Sequence, residues 1–471
     1  MENDSRYAVA QHSLRQIWPF GRQATLFLLS IAIGFLVVWL APADQLGKPA
    51  LYTLFMLAVA VSLWITEAIP PFAVGILIMA YLVFAMGSLK AEGVPVDVMQ
   101  YVNTWSSPVI WLMLSGFFIS EGMRRTCLDR VIFSFALKSF GNAAPRLLMG
   151  MMLMTAVLSA IMSNTATTAM MIAAILPFLN RAQKENMLSK DLLLGIPAAA
   201  SLGGMITIIG SPPNAITVGA LATNHINVSF AEWMLYGLPI ALIFLAASWF
   251  LLSRSLVSQT IEISLPTPSS QEHAKLMRLP RWTVGITLVV TLLLWMTSTL
   301  HKIHVAAVGA IPIVVLTMSG IIRAKDLRAL AWDSLMLVAG GLSLGLAIEK
   351  SGLAQYAASF LRLQDVNPYL VILLLGYVTT LVSNVMSNTA AASVLIPVGA
   401  LLSPEHALQT GMVIGLCAST ALLLPVSTPP NAIAFSTGLL EQHDFRRLGG
   451  FLALFGPPVI TLWVALVTTM F

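Results

Sequence analysis

The sequence predicts an all-α protein that crosses a membrane many times and consists of two inverted repeats. Of its 471 residues, 58% are hydrophobic and 10% are charged, too little charge to cover a water-soluble protein of this size. Runs such as 24–40 carry no charge and approach the ~20 residues that a helix needs to cross the bilayer core. The tripeptide Ser-Asn-Thr occurs twice inside apolar sequence, at 163–165 and at 387–389.

Apolar runs predict about 11 transmembrane helices. They lie at about 24–42, 50–67, 71–88, 107–124, 192–222, 232–253, 282–299, 304–321, 333–348, 408–438 and 448–470. Two further apolar stretches, 146–180 and 368–403, each carry Ser-Asn-Thr near the middle. Their halves, about 15 residues long, are too short to cross alone. Each stretch therefore predicts a re-entrant hairpin with the tripeptide at its tip.

Basic residues predict the orientation in the membrane. The tail 1–23, which precedes a first span placed within 24–49, and the linker 254–281 both carry Arg or Lys and are expected on the cytoplasmic side. Six spans between them satisfy that parity. The C-terminus then faces outward, in a multi-pass protein of the cell membrane, the inner membrane of a bacterium. The net charge of +5 is attributed to these loops rather than to nucleic-acid binding.

The two Ser-Asn-Thr motifs belong to a long internal repeat. Lining up Asn164 with Asn388 also pairs Ser159 with Ser383, and residues 50–253 correspond broadly to 282–471. Each repeat contains five spans and one hairpin, an odd number of crossings, so the second must insert upside down relative to the first. Inverted repeats with paired broken helices are typical of secondary transporters that bind their cargo near the middle of the membrane.

A second polar break follows each hairpin. Gly-Ser-Pro-Pro-Asn at 210–214 and Ser-Thr-Pro-Pro-Asn at 427–431 interrupt the spans 192–222 and 408–438, which are expected to be broken helices. Backbone at membrane depth cannot leave its polar groups bare, so four such breaks indicate an internal polar site. Neutral Ser, Thr and Asn oxygens with unpaired carbonyls suit Na⁺, and helix N-termini offer N–H groups to an anion.

Other chemistry is not supported by the pattern. A single Ser-Asn-Thr in a membrane helix is more often a helix cap than a ligand, but duplication beside the duplicated Pro-Pro-Asn favours a binding site. Cys127 and Cys417 have no paired spacing, and the seven histidines have no metal-ligand spacing. Neither a disulfide, a transition metal nor an organic cofactor is expected.

Taken together, the motifs resemble the divalent anion:sodium symporter family, the INDY-type dicarboxylate and citrate transporters. The resemblance rests on Trp-Ile-Thr-Glu-Ala-Ile-Pro-Pro at 64–71 with the duplicated Ser-Asn-Thr and Pro-Pro-Asn, and it covers nearly the whole chain after residue 24. It implies a homodimeric elevator transporter. A fixed scaffold domain would make the dimer contact, and a transport domain would hold both hairpins and both broken helices.

The resemblance also implies a set of site residues. One Na⁺ site would be formed by Ser159, Ser163, Asn164 and the backbone of Gly210, and its partner by Ser383, Asn388 and backbone near Met386 and Ser427. Substrate carboxylates would be held by Asn164, Thr165, Asn388 and Thr389, with Ser211, Thr428 and Pro429 closing the pocket. Ser211 and Ser383 stand where the family often has Thr, and both keep the hydroxyl.

The expected function is Na⁺-driven uptake of C4-dicarboxylates such as succinate, malate or fumarate, with two or more Na⁺ per cycle. The alternative is a Na⁺-independent exchanger of dicarboxylates or citrate within the same family. Exchangers of this family usually have cationic side chains in place of one sodium site, and no cationic residue stands beside Ser383 or Ser427. A remote alternative is a membrane-embedded serine hydrolase, which needs a base that the four breaks lack.

Overall fold

The computed structural model describes residues 2–42, 44–94, 96–132, 140, 143–179, 187–256, 277–360 and 366–470. Within these ranges the chain forms 19 α-helices and no β-strand. In chain order they are α1 Glu2–Leu40, α2 Lys48–Thr66, α3 Pro71–Ala91, α4 Pro108–Thr126, α5 Ala144–Ser159, α6 Asn164–Leu179, α7 Met187–Gly204, α8 Pro212–Thr223, α9 Phe230–Ser253, α10 Arg278–Met296, α11 Ser298–His301, α12 Val305–Met318, α13 Trp332–Lys350, α14 Leu353–Phe360, α15 Pro368–Val385, α16 Asn388–Leu402, α17 Ala407–Cys417, α18 Pro429–Ser436 and α19 Asp444–Met470.

Many of these helices begin at proline. Pro occupies one of the first two positions of α2, α3, α4, α5, α8, α15 and α18. Its fixed φ suits the first turn, and its missing N–H is one that the helix cannot pair there anyway. The helix starts are therefore set locally by the sequence.

The helices are those of a multi-pass membrane protein, as predicted. In the described part of the chain, eight helices are long and apolar enough to cross a membrane. One of the eight is α15, the 18-residue first arm of the second predicted hairpin. The prediction of about 11 spans includes the other seven of these helices. It also includes α4, the 14-residue α12 and the two broken helices, which are not among the eight. Large apolar side chains such as Trp39 and Phe84 are 79% and 78% exposed, as lipid-facing residues are.

The structure describes most of the predicted N-terminal tail but little of the predicted linker. Helix α1 continues without interruption from Glu2 to Leu40, so the predicted tail is helical and leads directly into the apolar segment Gly21–Leu40. Most of the predicted linker 254–281 lies outside the described residues, which resume at residue 277.

Each stretch predicted as a hairpin or as a broken helix contains two helices separated by an interruption. Helices α5 and α6 are separated by residues 160–163, and α15 and α16 by residues 386–387. Helices α7 and α8 are separated by residues 205–211, and α17 and α18 by a short 3₁₀ turn and residues 421–428. We call these four interruptions the first and second hairpin tips and the first and second helix breaks, and we count the last turn of α5 and of α15 with its tip.

Corresponding helices make corresponding contacts in the two halves. Helix α5 packs on α7, and α15 packs on α17. The second arm of each hairpin crosses to the other half, because α6 contacts α18 while α16 contacts α8. Trp64 and Trp295 also match, since each indole donates to a carbonyl beyond the end of its own helix, Pro71 O and Val305 O. The crossed contacts bring each hairpin to the helix break of the other half.

Candidate functional site

Each hairpin tip ends in a serine that caps the following helix. Ser163 Oγ accepts a hydrogen bond from the backbone N–H of Ala166 at 3.2 Å, and Ser387 Oγ accepts one from Ala390 at 3.2 Å. A side-chain oxygen at this position satisfies one of the N–H groups that a helix start leaves unpaired. Helices α6 and α16 therefore begin with the same cap, as the duplicated sequence suggests.

Each helix break is closed by the asparagine of Pro-Pro-Asn. Asn214 Nδ2 donates to Gly204 O at 2.8 Å and to Thr207 O at 2.7 Å. Asn431 Nδ2 donates to Leu422 O at 3.3 Å and to Leu424 O at 3.0 Å. Both side chains are buried and take up carbonyls that the interrupted helix cannot pair. These asparagines hold the breaks in shape.

The first tip and the first break meet at a cluster of oxygens. Ser159 Oγ lies 2.6 Å from Asn164 Oδ1 and donates to Ala200 O at 2.8 Å. Gly210 lies beside them, since its carbonyl is 3.2 Å from the Asn164 carboxamide. The structure thus brings together three predicted Na⁺ ligands, Ser159, Asn164 and Gly210, and adds the Ala200 carbonyl, which the motif does not contain.

The Asn164 carboxamide has two orientations with different chemistry. With its nitrogen toward the cluster, it donates to Ser159 Oγ at 2.6 Å, Ala200 O at 3.1 Å and Gly210 O at 3.2 Å. With Oδ1 there, the oxygen accepts from Ser159 Oγ at 2.6 Å and faces the carbonyls of Ala200 and Gly210, and a cation between these oxygens would satisfy them. The donor set, all neutral oxygens, suits a hard monovalent ion.

Glycine at position 204 makes room for this carboxamide. A methyl group at Gly204 would lie 2.5 Å from Asn164 Oδ1 and 2.9 Å from its Nδ2. Real Cβ atoms do not approach other atoms so closely, so Gly204 is needed for Asn164 to reach the cluster. The aligned residue in the second break, Ala421, carries a methyl group.

The second tip and break are connected differently. Among the described residues, Ser383 Oγ and Asn388 Oδ1 are buried and have no hydrogen-bond partner. Ser427, another predicted ligand, donates through Oγ to Asn384 Oδ1 at 2.9 Å and accepts from Leu424 N at 3.0 Å. Buried oxygens without donors are costly unless a ligand satisfies them.

Asn384 is a residue that the motif-based interpretation missed. It is 4% exposed, and it stands where the first tip has Ala160. An asparagine next to Ser383 in an otherwise apolar helix arm is a visible signal, but the search for duplicated residues passes over a position that differs between the repeats.

The other predicted residues lie at the same four interruptions. Thr428 Oγ1 caps α18 by accepting from Asn431 N at 3.3 Å, while Ser211 caps α8 without a side-chain hydrogen bond. Met386 is buried and ends α15, donating its N–H to Val382 O at 2.9 Å. Thr165 and Pro429 are exposed, and Thr389 is half-buried at the start of α16. Their roles toward a substrate stay predictions.

Charge at this site comes from the backbone alone. The four interruptions contain no titratable side chain. Helices α6, α8, α16 and α18 begin there, and their first N–H groups and dipoles favour an anion. The arrangement therefore offers oxygens to a cation and N–H groups to an anion within the same set of turns.

Comparison with known proteins finds transporters. The sequence profile of the citrate transporter family matches residues 61–411, well over half of the chain. A sodium-dependent dicarboxylate transporter, SdcS of Staphylococcus saprophyticus, is 30% identical over 467 residues, covering 91% of this chain and 88% of the relative. SdcS of Staphylococcus aureus strain USA300 is 29% identical over 476 residues, 93% of this chain and 88% of its own. An uncharacterized transporter of Haemophilus influenzae is 29% identical over 92% of this chain and 94% of its own.

Solved structures show the same fold at low sequence identity. The YdaH transporter of Alcanivorax borkumensis has a TM-score of 0.58 at 14% identity and covers 84% of this chain and 98% of its own. MtrF of Neisseria gonorrhoeae has a TM-score of 0.51 at 11% identity, covering 86% and 96%. The protein is thus a transporter and not an enzyme, which sets aside the hydrolase. The chain belongs to the citrate transporter family, within the divalent anion:sodium symporters that its motifs resemble.

Proposed function

We propose that this protein is a secondary active transporter that takes up C4-dicarboxylates such as succinate, malate or fumarate together with Na⁺. The observation that carries the proposal is the cluster of Ser159, Asn164, Ala200 O and Gly210 O, in which Ser159 Oγ and two backbone carbonyls lie within 3.2 Å of one end of the Asn164 carboxamide. Relatives along nearly the whole chain are named sodium-dependent dicarboxylate transporters, which supports the same cargo here.

Coupling between cation and substrate resides in Asn164. With its nitrogen toward the cluster, the amide donates to Ser159 Oγ, Ala200 O and Gly210 O, and we propose this as the orientation before Na⁺ binds. A bound cation needs the carboxamide oxygen on that side, so the amide must turn and its N–H groups then point away from the cluster. Those N–H groups are donors for a substrate carboxylate. Sodium therefore binds first and prepares Asn164 for the dianion.

Charge balance requires more than one sodium ion. The four interruptions supply no Arg or Lys to neutralise two carboxylates. Two Na⁺, one at each tip, offset the charge of a dicarboxylate and lower the cost of carrying it through a region of low dielectric. The predicted substrate ligands Asn164, Thr165, Asn388 and Thr389, with Ser211, Thr428 and Pro429, lie at the four interruptions that would surround such a substrate.

Transport proceeds by an elevator motion in a homodimer. The hairpins and broken helices contact one another crosswise, through α6 with α18 and α16 with α8, which supports their moving as one body. Helix α13 contacts α3 and also α16, so it lies at the boundary between that body and the scaffold. The N-terminus is on the cytoplasmic side of the inner membrane and the C-terminus is outside.

Uptake of radiolabelled succinate into proteoliposomes tests the function. An inward Na⁺ gradient should drive accumulation, and replacing Na⁺ by choline at equal ionic strength should abolish it. The Asn388→Ala variant, reconstituted in parallel, provides the inactive control. Uptake that does not change when Na⁺ is removed, but that requires dicarboxylate inside the vesicle, would overturn the symport proposal and show that the protein is an exchanger.

A further inference from the structure

The two hairpin tips differ most at one aligned position. The first tip has Ala160, whose carbonyl accepts a hydrogen bond from Thr207 Oγ1 at 2.5 Å. The second tip has Asn384, while the residue aligned with Thr207 is Leu424, which has no hydroxyl. At this aligned position, a side chain of the break connects it to the tip in the first repeat, whereas a side chain of the tip makes the connection in the second.

Asn384 uses its whole carboxamide for this connection. Its Oδ1 accepts from Leu423 N at 2.8 Å and from Ser427 Oγ at 2.9 Å, while its Nδ2 donates to Thr380 O at 2.8 Å. Two donors from the second break are thus held by one oxygen of the tip. A buried polar network in which every member is paired is rigid and specifies one geometry.

A second layer of hydroxyls supports Asn384. Thr380 Oγ1 lies 3.0 Å from Thr420 Oγ1, and both hydroxyls point at Cys417 O, at 3.3 and 2.7 Å. Cys417 aligns with Ala200, whose carbonyl belongs to the oxygen cluster of the first repeat. In the second repeat this carbonyl is already occupied by threonines, so the polar groups near it are structural.

This network leaves two neighbouring oxygens unpaired. Ser383 Oγ, adjacent in sequence to Asn384, is completely buried, and Asn388 Oδ1 lies across the tip, on the first residue of α16. Among the described residues neither oxygen has a partner, although Asn384, Thr380, Thr420 and Ser427 are all paired around them. Structural hydrogen bonding and ligand binding are therefore assigned to different residues.

We propose that Asn384 is a positioning residue that pre-forms the second Na⁺ site, by holding Ser427 and the second break against the tip that carries Ser383 and Asn388. The proposal rests on the sodium coupling proposed above. In the first repeat Asn164 has to turn before it can accept the ion, whereas in the second repeat the loop is fixed before the ion arrives. The second site accordingly takes up Na⁺ at lower concentration than the first.

Thermal unfolding of the purified full-length protein in detergent tests this directly. Na⁺ is titrated against choline at constant ionic strength, and the concentration that gives half of the shift in Tm is measured with and without succinate. Asn384→Ala, which copies Ala160 of the first tip, should raise the half-saturating Na⁺ concentration about tenfold, because about 1.4 kcal/mol of pre-organisation is lost. Succinate affinity at saturating Na⁺ should stay within about twofold of wild type.

Two further variants separate positioning from general destabilisation. Asn384→Asp keeps the acceptor for Leu423 N and Ser427 Oγ, so it should restore half-saturation to wild type or below. Asn367→Ala removes a cap at the other end of the same helix, where Oδ1 accepts from Tyr369 N at 2.9 Å. It should lower Tm without Na⁺ while the half-saturating Na⁺ concentration stays unchanged.

Each outcome has a definite meaning. Unchanged half-saturation in Asn384→Ala, with normal Na⁺ dependence of the wild type, overturns the inference alone. Absence of any Na⁺ shift in the wild type overturns sodium coupling itself, and the inference with it. Should Asn384→Ala fail to fold, Ser427→Ala makes the same test, since it cuts the same link while the backbone carbonyl of residue 427 remains; unchanged half-saturation there would equally overturn the inference.

Discussion

The two halves of this transporter have the same local structure and different connections. Both tips are capped by serine at 3.2 Å, and both breaks are closed by the asparagine of Pro-Pro-Asn. In the first half, the oxygen cluster is closed by Asn164, which is itself a proposed Na⁺ ligand. In the second half, Asn384 closes the structure and leaves Asn388 unpaired. The repeated motif therefore produces the same caps and helix breaks in both halves, while residues outside the motif decide how each tip is connected to its break.

The largest effect is expected from removing the two asparagines. Asn164→Ala and Asn388→Ala should each lower Na⁺-driven succinate uptake about 100-fold or more, because each asparagine is proposed to contact both Na⁺ and substrate and a hydrogen bond to a charged group contributes about 1.5–3 kcal/mol. Proteoliposome uptake at matched protein density measures this. Wild-type uptake by either variant would remove that asparagine from the site.

The stability of the same two variants distinguishes the two halves. Asn164→Ala deprives Gly210 O of its buried donor and should cost about 1–3 kcal/mol of unfolding free energy in Na⁺-free buffer. Asn388→Ala removes an oxygen that has no partner in the described structure, so stability without Na⁺ should stay the same or rise. Equal losses of stability in both variants would contradict the difference in connections.

A smaller effect is expected from the reciprocal exchange of Gly204 and Ala421. Gly204→Ala places a methyl group 2.5 Å from Asn164 Oδ1 and should cost about 1–3 kcal/mol, with about a tenfold loss of Na⁺ affinity. Ala421→Gly in the second break introduces no clash and should change Na⁺ affinity less than about twofold. Sodium titration by thermal shift measures both variants. A Gly204→Ala variant with wild-type affinity would show that Asn164 does not need its observed position.

The smallest effect concerns the two capping serines. Ser163→Ala and Ser387→Ala should each cost about 1 kcal/mol of stability, since the caps have the same length. Only Ser163 is also a predicted Na⁺ ligand, so Ser163→Ala alone should raise the half-saturating Na⁺ concentration, by about three- to tenfold. Identical sodium dependence in the two variants would limit both serines to capping.

The sequence by itself determined the class of protein, the two hairpins and the two broken helices. Apolar runs and their polar interruptions are local signals, because a helix start depends on proline and a capping side chain within one turn. The helices α5, α6, α15 and α16 accordingly lie within the stretches 146–180 and 368–403 to within about two residues. The residue types at the interruptions also indicated the chemistry of the site.

Only the tertiary structure decided which of those polar groups meet. Ser159 reaches Ala200 O, and Asn384 reaches Ser427 Oγ, across 41 and 43 residues of chain. Ala200 contributes a backbone carbonyl, which cannot be predicted from the residue type. Asn384 lies outside the duplicated pattern. Partners of this kind depend on how separate helices pack. The sequence therefore specified two similar sets of polar interruptions, and the packing of the helices pairs the Asn164 carboxamide in the first and leaves Asn388 Oδ1 unpaired in the second.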